Sequence, residues 1–364
     1  MNYYLALMVF RILTLSGGGY RGLYTAQVLA GLEEESGDVP LHRRFDLIAG
    51  TSIGGILALA IASGKTSMKE VATAMECQGS AIFGEDNPPK GKIAQYLDYW
   101  KTKSAARYDP APLRTLIAEL VGEDTYIGDL KQKVLVPAVN VTKGSPQAFK
   151  TPHHPRLVRD WKLPLVDVAM ATSAAPSYFP LHTIGSERFA DGGMYANSPD
   201  DLAIHEAQYF LDQDLGDVEV LSIGTTTSKF SFPASVASDM SWLDWILEQR
   251  AISVMIAAQQ MNTDFVMRHR LGDRFIRVDA EPSAAQLSNI TLDNANPEVA
   301  KDLLGLAEAS LRDHLPTIRA AGIFDHTVDE EDFLQREEIS HYFKRLKDEE
   351  HGHCGNPFPQ HIKS

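Results

Sequence analysis

Cysteine is nearly missing from this sequence: Cys77 and Cys354 are the only two in 364 residues. Thiols so far apart make no disulfide framework and suit a reducing compartment. Positive charge is scarce too. Thirty-four Lys and Arg face 48 Asp and Glu, a formal net charge of −14. That balance argues against a nucleic acid polymer as partner and against simple electrostatic docking on anionic lipid. No apolar run reaches the length of a transmembrane helix. The apolar start, Met1 to Leu15, lacks a basic n-region, is interrupted by Arg11 and shows no small-residue cleavage site, so no secretory signal is expected. Internal repeats and low-complexity stretches are absent. What remains is an ordinary globular composition, 44% hydrophobic and 23% charged. The length allows one large α/β domain or two average ones. The expected location is the cytoplasm, with membrane contact peripheral and confined to the inner membrane surface.

What is present centres on Phe45 to Gly64. Leu47 to Ala49 read as a buried strand, Gly50-Thr51-Ser52-Ile53-Gly54 fits G-x-S-x-G, and an apolar helix runs on to Gly64. Strand, tight turn and helix are the context of a nucleophile elbow, which holds its serine strained and exposed. The helix that follows directs N–H groups toward negative charge forming beside the hydroxyl. Upstream, Phe10 to Leu15 predict the first strand, and Ser16-Gly17-Gly18-Gly19-Tyr20-Arg21-Gly22 the loop before a helix. Such a loop offers backbone N–H groups to an anion, either as a phosphate cradle or as an oxyanion hole. A dinucleotide site needs an acidic residue after the second strand. Ser52 stands there instead, which favours the oxyanion reading.

Further along, Lys65 to Tyr108 shows a mixed pattern with a turn-rich patch at Gly84 to Gly91. Ala111 to Val121 predict a helix and Lys133 to Val141 a strand. Thr151 to Lys162 is a locally basic loop. Leu165 to Ala175 predict a helix, Arg188 to Gly193 a short strand delivering Asp191 into a glycine turn, and Asp200 to Phe210 another helix. Val218 to Gly224 and Phe275 to Asp279 are late strands, and Pro297 to Ala320 carries one or two helices. Ser228 to Met261, with Trp242 and Trp245, reads either as a lipid-facing segment or as a lid packed on the body. The charged tail from His326 keeps an apolar stripe of Ile339, Phe343 and Leu346. The expected organisation is one domain over residues 8–325 and a charged C-terminal helix and tail over 326–364. Alternating strands and helices indicate an α/β fold with a mainly parallel sheet covered on both faces. Chemistry then belongs at the carboxyl ends of the strands, where the Gly17 loop, Ser52 and Asp191 all fall.

A serine needs a group to take its proton. His153, His154, His182 and His205 sit in undistinguished contexts, and His153 and His154, adjacent with no cysteine nearby, suit no metal pair. Asp191 lies in Phe-Ala-Asp-Gly-Gly. It reads either as a turn-capping aspartate or as a base whose pKa, about 3.9 when unperturbed, burial in an apolar cleft would raise.

The blocks Gly17 to Gly22, Gly50 to Gly54 and Asp191-Gly192-Gly193, in that order, resemble the three signatures of patatin-like phospholipases. Ala171 to Pro180 resembles a fourth segment, and the likeness covers roughly residues 10–230. The resemblance implies a three-layer α/β/α fold and an acyl hydrolase of membrane phospholipids. It implies a Ser–Asp dyad with neither catalytic histidine nor calcium, so no cofactor or metal is expected. Ser52 matches the nucleophile and Asp191 the base. Gly17, Gly18 and Gly19 match the oxyanion loop and Arg21 its basic residue, with Gly50, Gly54, Gly192 and Gly193 as supporting positions. A narrower resemblance, through the early glycine block and Arg107-Tyr108-Asp109-Pro110, is to bacterial effectors of this family. Some of these are switched on by cyclic nucleotides in anti-phage (CBASS) signalling, which implies a cyclic dinucleotide activator and assembly into a homo-oligomer. The alternative is a lipid hydrolase without nucleotide control. For an activator, Lys150 to Lys162 offers Arg156, Arg159, Trp161 and Lys162, and Arg268 to Arg277 offers Arg268, Arg270, Arg274 and Phe275. Two other classes stay in view: a nucleotide-binding module that uses only the glycine loop, and an inactive interaction protein.

Overall fold

Near-continuous apolar strands, buried on both faces, build the centre of the molecule. The computed structural model describes residues 9–84, 106–226, 250–287 and 289–329. Its strands are β1 (Phe10–Leu15), β2 (Leu47–Gly50), β3 (Val134–Asn140), β4 (Ser145–Lys150), β5 (His182–Ile184), β6 (Glu187–Asp191), β7 (Val218–Ile223) and β8 (Phe275–Val278). They form one sheet in the order β5-β6-β3-β2-β1-β7-β8, with β4 paired to β3. The run β3-β2-β1-β7-β8 is parallel throughout. The chain leaves β1 toward β2 and β3, then returns to its other side as β7. That reversal at β1 is the topological switch point where an open α/β sheet leaves a crevice.

Helices α1 (Gly22–Ser36), α2 (Ile53–Ser63), α3 (Met68–Phe83), α4 (Pro110–Val121), α5 (Leu165–Thr172), α6 (Gly193–Ala196), α7 (Asp200–Phe210), α8 (Arg250–Leu271), α9 (Ala284–Leu287) and α10 (Pro297–Ala320) follow the chain. Alternate residues divide the sheet between two cores. Leu13, Leu15, Ile48, Val136 and Ile223 meet α1, α2, α3, α4, α5 and α10 on one face. Phe10, Ile12, Leu47, Val218 and Val220 meet α7 and α8 on the other. This is the expected three-layer α/β/α arrangement. Helix α2 is apolar on all sides and buried from Ile53 to Ala62. Each enclosed leucine there contributes about 2 kcal/mol by leaving water.

One corner departs from the parallel plan. Along one side of β3, β2 pairs at Val134 and Leu135. Antiparallel β6 takes the same strand at Ala138, Val139 and Asn140. Two strands thus run toward each other and stop, leaving Val136 and Pro137 between them. Proline fits such a gap because it has no N–H to give a neighbour.

Other differences are local. Helix α3 lies in the stretch of mixed pattern, opened by a capping box between Ser67 and Glu70. Helix α5 stops at Thr172, before the expected Ala175, and α10 is a single helix. The patch beyond Gly84, Phe230 to Leu247, Cys354 and the apolar stripe of the tail lie outside the described residues. Just past residue 325, His326 Nε2 meets Asp46 Oδ2 at 2.9 Å and the Val328 N–H donates to the Arg43 carbonyl at 2.8 Å. Among the described residues no helix is long and apolar enough to cross a membrane.

Candidate active site

Parallel register between β1 and β2, ending at Leu15↔Gly50, brings the Ser16–Gly19 loop and the Ser52 turn out side by side. Ser52 stands at the start of α2 with φ 56° and ψ −126°. A side chain held in that left-handed region costs on the order of 1–3 kcal/mol. Its surroundings impose the strain. The Ser52 N–H donates to Thr172 Oγ1 at 2.9 Å, the Thr51 N–H to the Leu15 carbonyl at 3.1 Å, and Thr51 Oγ1 to the Ala196 carbonyl at 2.6 Å. Glycine is required on either side for lack of room. A Cβ at Gly50 would overlap the Gly54 carbonyl, and one at Gly54 the Leu15 carbonyl.

Asp191 closes β6, and the gap on β3 sets it opposite the end of β2. Ser52 Oγ donates to Asp191 Oδ2 at 2.7 Å, and the Gly193 N–H donates to Oδ1 at 2.6 Å. The Asp191 and Gly192 N–H groups reach the Ala174 and Thr172 carbonyls, fixing the turn. Burial pushes the carboxyl up to about 6 although both hydrogen bonds pull the other way. That raises its basicity while leaving it largely ionised at neutral pH.

The glycine loop is held from behind. The Gly17 carbonyl accepts from Thr225 Oγ1 at 2.9 Å and Asn197 Nδ2 at 3.2 Å. The Gly18 carbonyl accepts from the Arg21 N–H at 3.2 Å and Arg21 Nε at 3.3 Å. Planar trans peptides then direct the N–H groups of Gly18 and Gly19 the opposite way. Among the described residues neither has a protein acceptor, and both glycines line the cavity that holds Ser52. The Gly17 N–H differs from the sequence expectation: it donates to the Asn197 carbonyl at 2.9 Å. Arg21 is buried and also reaches the Thr226 carbonyl at 3.4 Å, so its work is inside the loop.

Ser52, Asp191, Gly18 and Gly19 share a cavity of about 210 Å³. Its apolar walls include Ile82 and Phe83 of α3, Leu113 and Leu116 of α4, Ile56 of α2, Phe179, and Ile252 and Ile256 of α8. Asp293 ties one side of it together, accepting from Tyr108 Oη at 2.8 Å and Arg107 Nη1 at 3.1 Å, while Tyr108 stacks on Tyr178. Asp109 caps α4 ahead of Pro110.

The candidate histidines are elsewhere. His153 is buried between Thr151 Oγ1 and Glu206 Oε1, at 2.9 and 2.8 Å, its pKa lowered by burial. His182 meets Asp167 at 3.1 Å, His205 stacks on Tyr209, and His154 packs edge-on to Phe210. None lines the cavity. The two basic segments flank α7 with their cations already engaged. Arg159 pairs with Asp160, Arg268 with Asp264 and Arg270 with Asp201. Arg156 reaches Tyr209 Oη, Lys162 lies over the Trp161 ring, and Arg274 donates to the Val218 carbonyl. Phe275, expected to offer a stacking surface, is buried in the core because its place on β8 faces α7 and α8.

Three supporting side chains were not singled out in the sequence: Thr172, Asn197 and Thr225. Each stands within a recognisable block or beside a strand end, but an isolated hydroxyl or amide carries no spacing signal. Among the described residues no group of three or more His, Cys, Asp or Glu side chains is arranged to hold a metal ion.

A strained serine against a buried carboxylate, facing a cavity with apolar walls, is the equipment of an enzyme that cleaves acyl esters. The family model described as patatin-like phospholipase matches residues 13–204. A cGAMP-activated phospholipase of Pseudomonas aeruginosa is 40% identical over 304 residues, covering 83% of this chain and 84% of that protein. Proteins of the same description from Vibrio cholerae and Escherichia coli are 39% and 36% identical, each over 80% of this chain and over 88% and 86% of their own length. The chain belongs to the patatin-like phospholipase family and is a carboxylic ester hydrolase.

Proposed function

We propose that the chain hydrolyses fatty-acyl esters of membrane phospholipids with Ser52 as nucleophile and Asp191 as the sole base. The observation that carries this is the 2.7 Å hydrogen bond between them beside an apolar cavity. Ser52 Oγ attacks the ester carbonyl carbon while its proton passes to Asp191 Oδ2. The N–H groups of Gly18 and Gly19 receive the oxyanion, and the dipole of α2 adds to them. As the tetrahedral intermediate collapses, the carbon–oxygen bond to the glycerol side breaks and the departing oxygen takes the proton from Asp191. Water then attacks the acyl-Ser52 ester, with Asp191 accepting its proton, and the fatty acid leaves as Ser52 is restored. Gly17 and Arg21 shape the loop; Gly50, Gly54, Gly192 and Gly193 let the backbones approach.

Control belongs to the same proposal. The relatives' names support a cyclic dinucleotide, cyclic GMP–AMP, as the activator. We propose in addition that the enzyme acts from the cytoplasm on the inner membrane surface in anti-phage defence and assembles as it switches on. Lipid mass spectrometry on purified protein and mixed phospholipids, with and without cyclic GMP–AMP, tests both parts. Fatty acid and lysophospholipid should accumulate with the nucleotide and not without it. Equal release in its absence would leave a hydrolase without nucleotide control, and no release in either case would remove the function itself.

A further inference from the structure

Helix α8 presents opposite characters on opposite faces. Ala257, Gln260, Met267 and Leu271 are buried against the body, whereas Met255, Met261 and Phe265 are 52%, 49% and 63% exposed. Their spacing places the three within about a third of the helix circumference, along about 15 Å of its length. The other helices of fifteen residues or more, α1, α3 and α10, expose no large apolar side chain. Single exposed apolar residues need no explanation, but a continuous stripe does.

The stripe is continuous with the cavity. Met255 lines the cavity while remaining half exposed, as does Met194 at 44% exposure, and Ile252 and Ile256 continue inward. Helix α8 is fixed in that position. Gln259 Nε2 donates to the Met194 carbonyl at 2.9 Å, and Gln259 Oε1 accepts the Asn197 N–H at 3.3 Å, next to the Asp191 turn. At the far end Arg270 holds Asp201 and Gln208 of α7. Beside the stripe Arg268 pairs with Asp264 at 2.9 Å, and the His269 ring packs on Phe265. Among the described residues, the one carboxylate carried by α8 itself, Asp264, is thus paired with a cation.

We infer that the exposed stripe of α8 is the surface by which the enzyme seats on a lipid bilayer. The inference rests on the reading above that the substrate is a membrane phospholipid. An acyl chain drawn from a bilayer through water loses roughly 0.8 kcal/mol of burial per methylene on the way. A cavity mouth edged by side chains immersed among acyl chains removes that exposure. A second copy of the chain on the same face would instead close the mouth the substrate must use. The mode is that of a helix lying in the plane of the interface, anchored by its apolar face.

The test uses the full chain with Met261→Glu and Phe265→Glu combined, two positions outside the cavity, assayed with cyclic GMP–AMP present. Co-sedimentation with vesicles of phosphatidylethanolamine and phosphatidylglycerol reads docking without needing turnover. Hydrolysis of the same vesicles and of soluble nitrophenyl butyrate reads chemistry with and without an interface. The double variant should lose roughly tenfold or more in vesicle partitioning and vesicle hydrolysis, with butyrate turnover unchanged. Phe265→Trp should bind vesicles at least as well as wild type. Wild-type vesicle binding and hydrolysis by the double variant would overturn the inference, as would loss of butyrate turnover in parallel. A light-scattering dimer that the double variant dissociates, with vesicle binding intact, would assign the stripe to a second copy and overturn it too. If wild type cleaves neither substrate, the proposed function fails, while sedimentation still decides the docking surface.

Discussion

The hydroxyl of Thr172 accepts the backbone N–H of Ser52 at 2.9 Å and gives its own proton to the Pro137 carbonyl at 2.6 Å. One side chain thus fastens the strained serine to the strand on which β2 and β6 meet. Loss of that hydroxyl leaves two buried backbone groups without this partner, a cost of about 1–3 kcal/mol each.

Thr172→Val should therefore lower kcat tenfold or more, on the order expected for a small displacement of a reacting group. KM should stay near wild type, since the apolar walls of the cavity are untouched. Thr172→Ser should restore most of the rate. Steady-state kinetics on a soluble ester checks this, and a valine variant with normal kcat would show that Ser52 needs no such support.

Ser52→Ala should abolish hydrolysis, a loss of many orders of magnitude for a removed nucleophile. Asp191→Asn should be nearly as damaging, because an amide cannot take the proton. Asparagine substitutions at His154, His182 and His205 should leave most of the activity. A histidine variant as inactive as Asp191→Asn, with its circular dichroism unchanged, would replace the dyad by a triad.

The elevated Asp191 carboxyl has two consequences for pH. In its proposed role as base it must be ionised, so kcat/KM should fall as pH drops through about 6, with a single-proton slope. Stability carries the opposite sign. The folded chain holds this proton more tightly than the unfolded chain, so the contribution is present below pH 4 and lost as pH rises through about 6. The full loss is on the order of 3 kcal/mol. Asp191→Asn should accordingly gain in urea midpoint over wild type more at pH 8 than at pH 5. An equal difference at both values would mean that the carboxyl titrates normally.

A Cβ at Gly18 would overlap the side chain of Thr225, which is itself bonded to the Gly17 carbonyl. Gly18→Val should therefore displace the loop and reduce kcat by ~10²-fold or more, the weight of one oxyanion donor. Unfolding temperature and kinetics measured together would separate this from general damage. Wild-type rates in a folded variant would assign the loop another task.

Much of this architecture was legible in the residues. Phe10 to Leu15 and Asp200 to Phe210 form the expected strand and helix to the residue; Ser16-Gly17 ends the one and Pro199 opens the other. The positions of Ser52 and Asp191 at strand ends were equally plain. Their contact across 139 residues of sequence was expected only through the family resemblance, not from local pattern. It depends on β6 running antiparallel into the space β2 leaves on β3, a pairing choice that no local pattern encodes. Helix α3 was missed although Ser67 and Glu70 form its capping box and Met68, Val71, Ala72 and Met75 keep helical spacing. The Gly17 N–H could not be assigned from sequence either, because its acceptor, the Asn197 carbonyl, is brought in by the turn after Asp191.

The meeting of β2 and β6 end to end on β3 divides Ser52 and Asp191 between unequal parts of the molecule. Ser52 follows a strand enclosed by parallel neighbours, whereas Asp191 ends the inner strand of a hairpin whose other strand, three-residue β5, is the sheet's outer edge. Local opening is cheapest at such margins. On the proposed mechanism, a molecule whose β5–β6 hairpin lifts away would give up Phe189 from the core but keep the rest of it together with Ser52, and would have no base. The competent fraction of the population is then set by the opening equilibrium of the hairpin, read as amide protection at Phe189 to Asp191, rather than by the melting temperature of the whole chain. A folded but silent enzyme is a state this topology makes available without unfolding anything else.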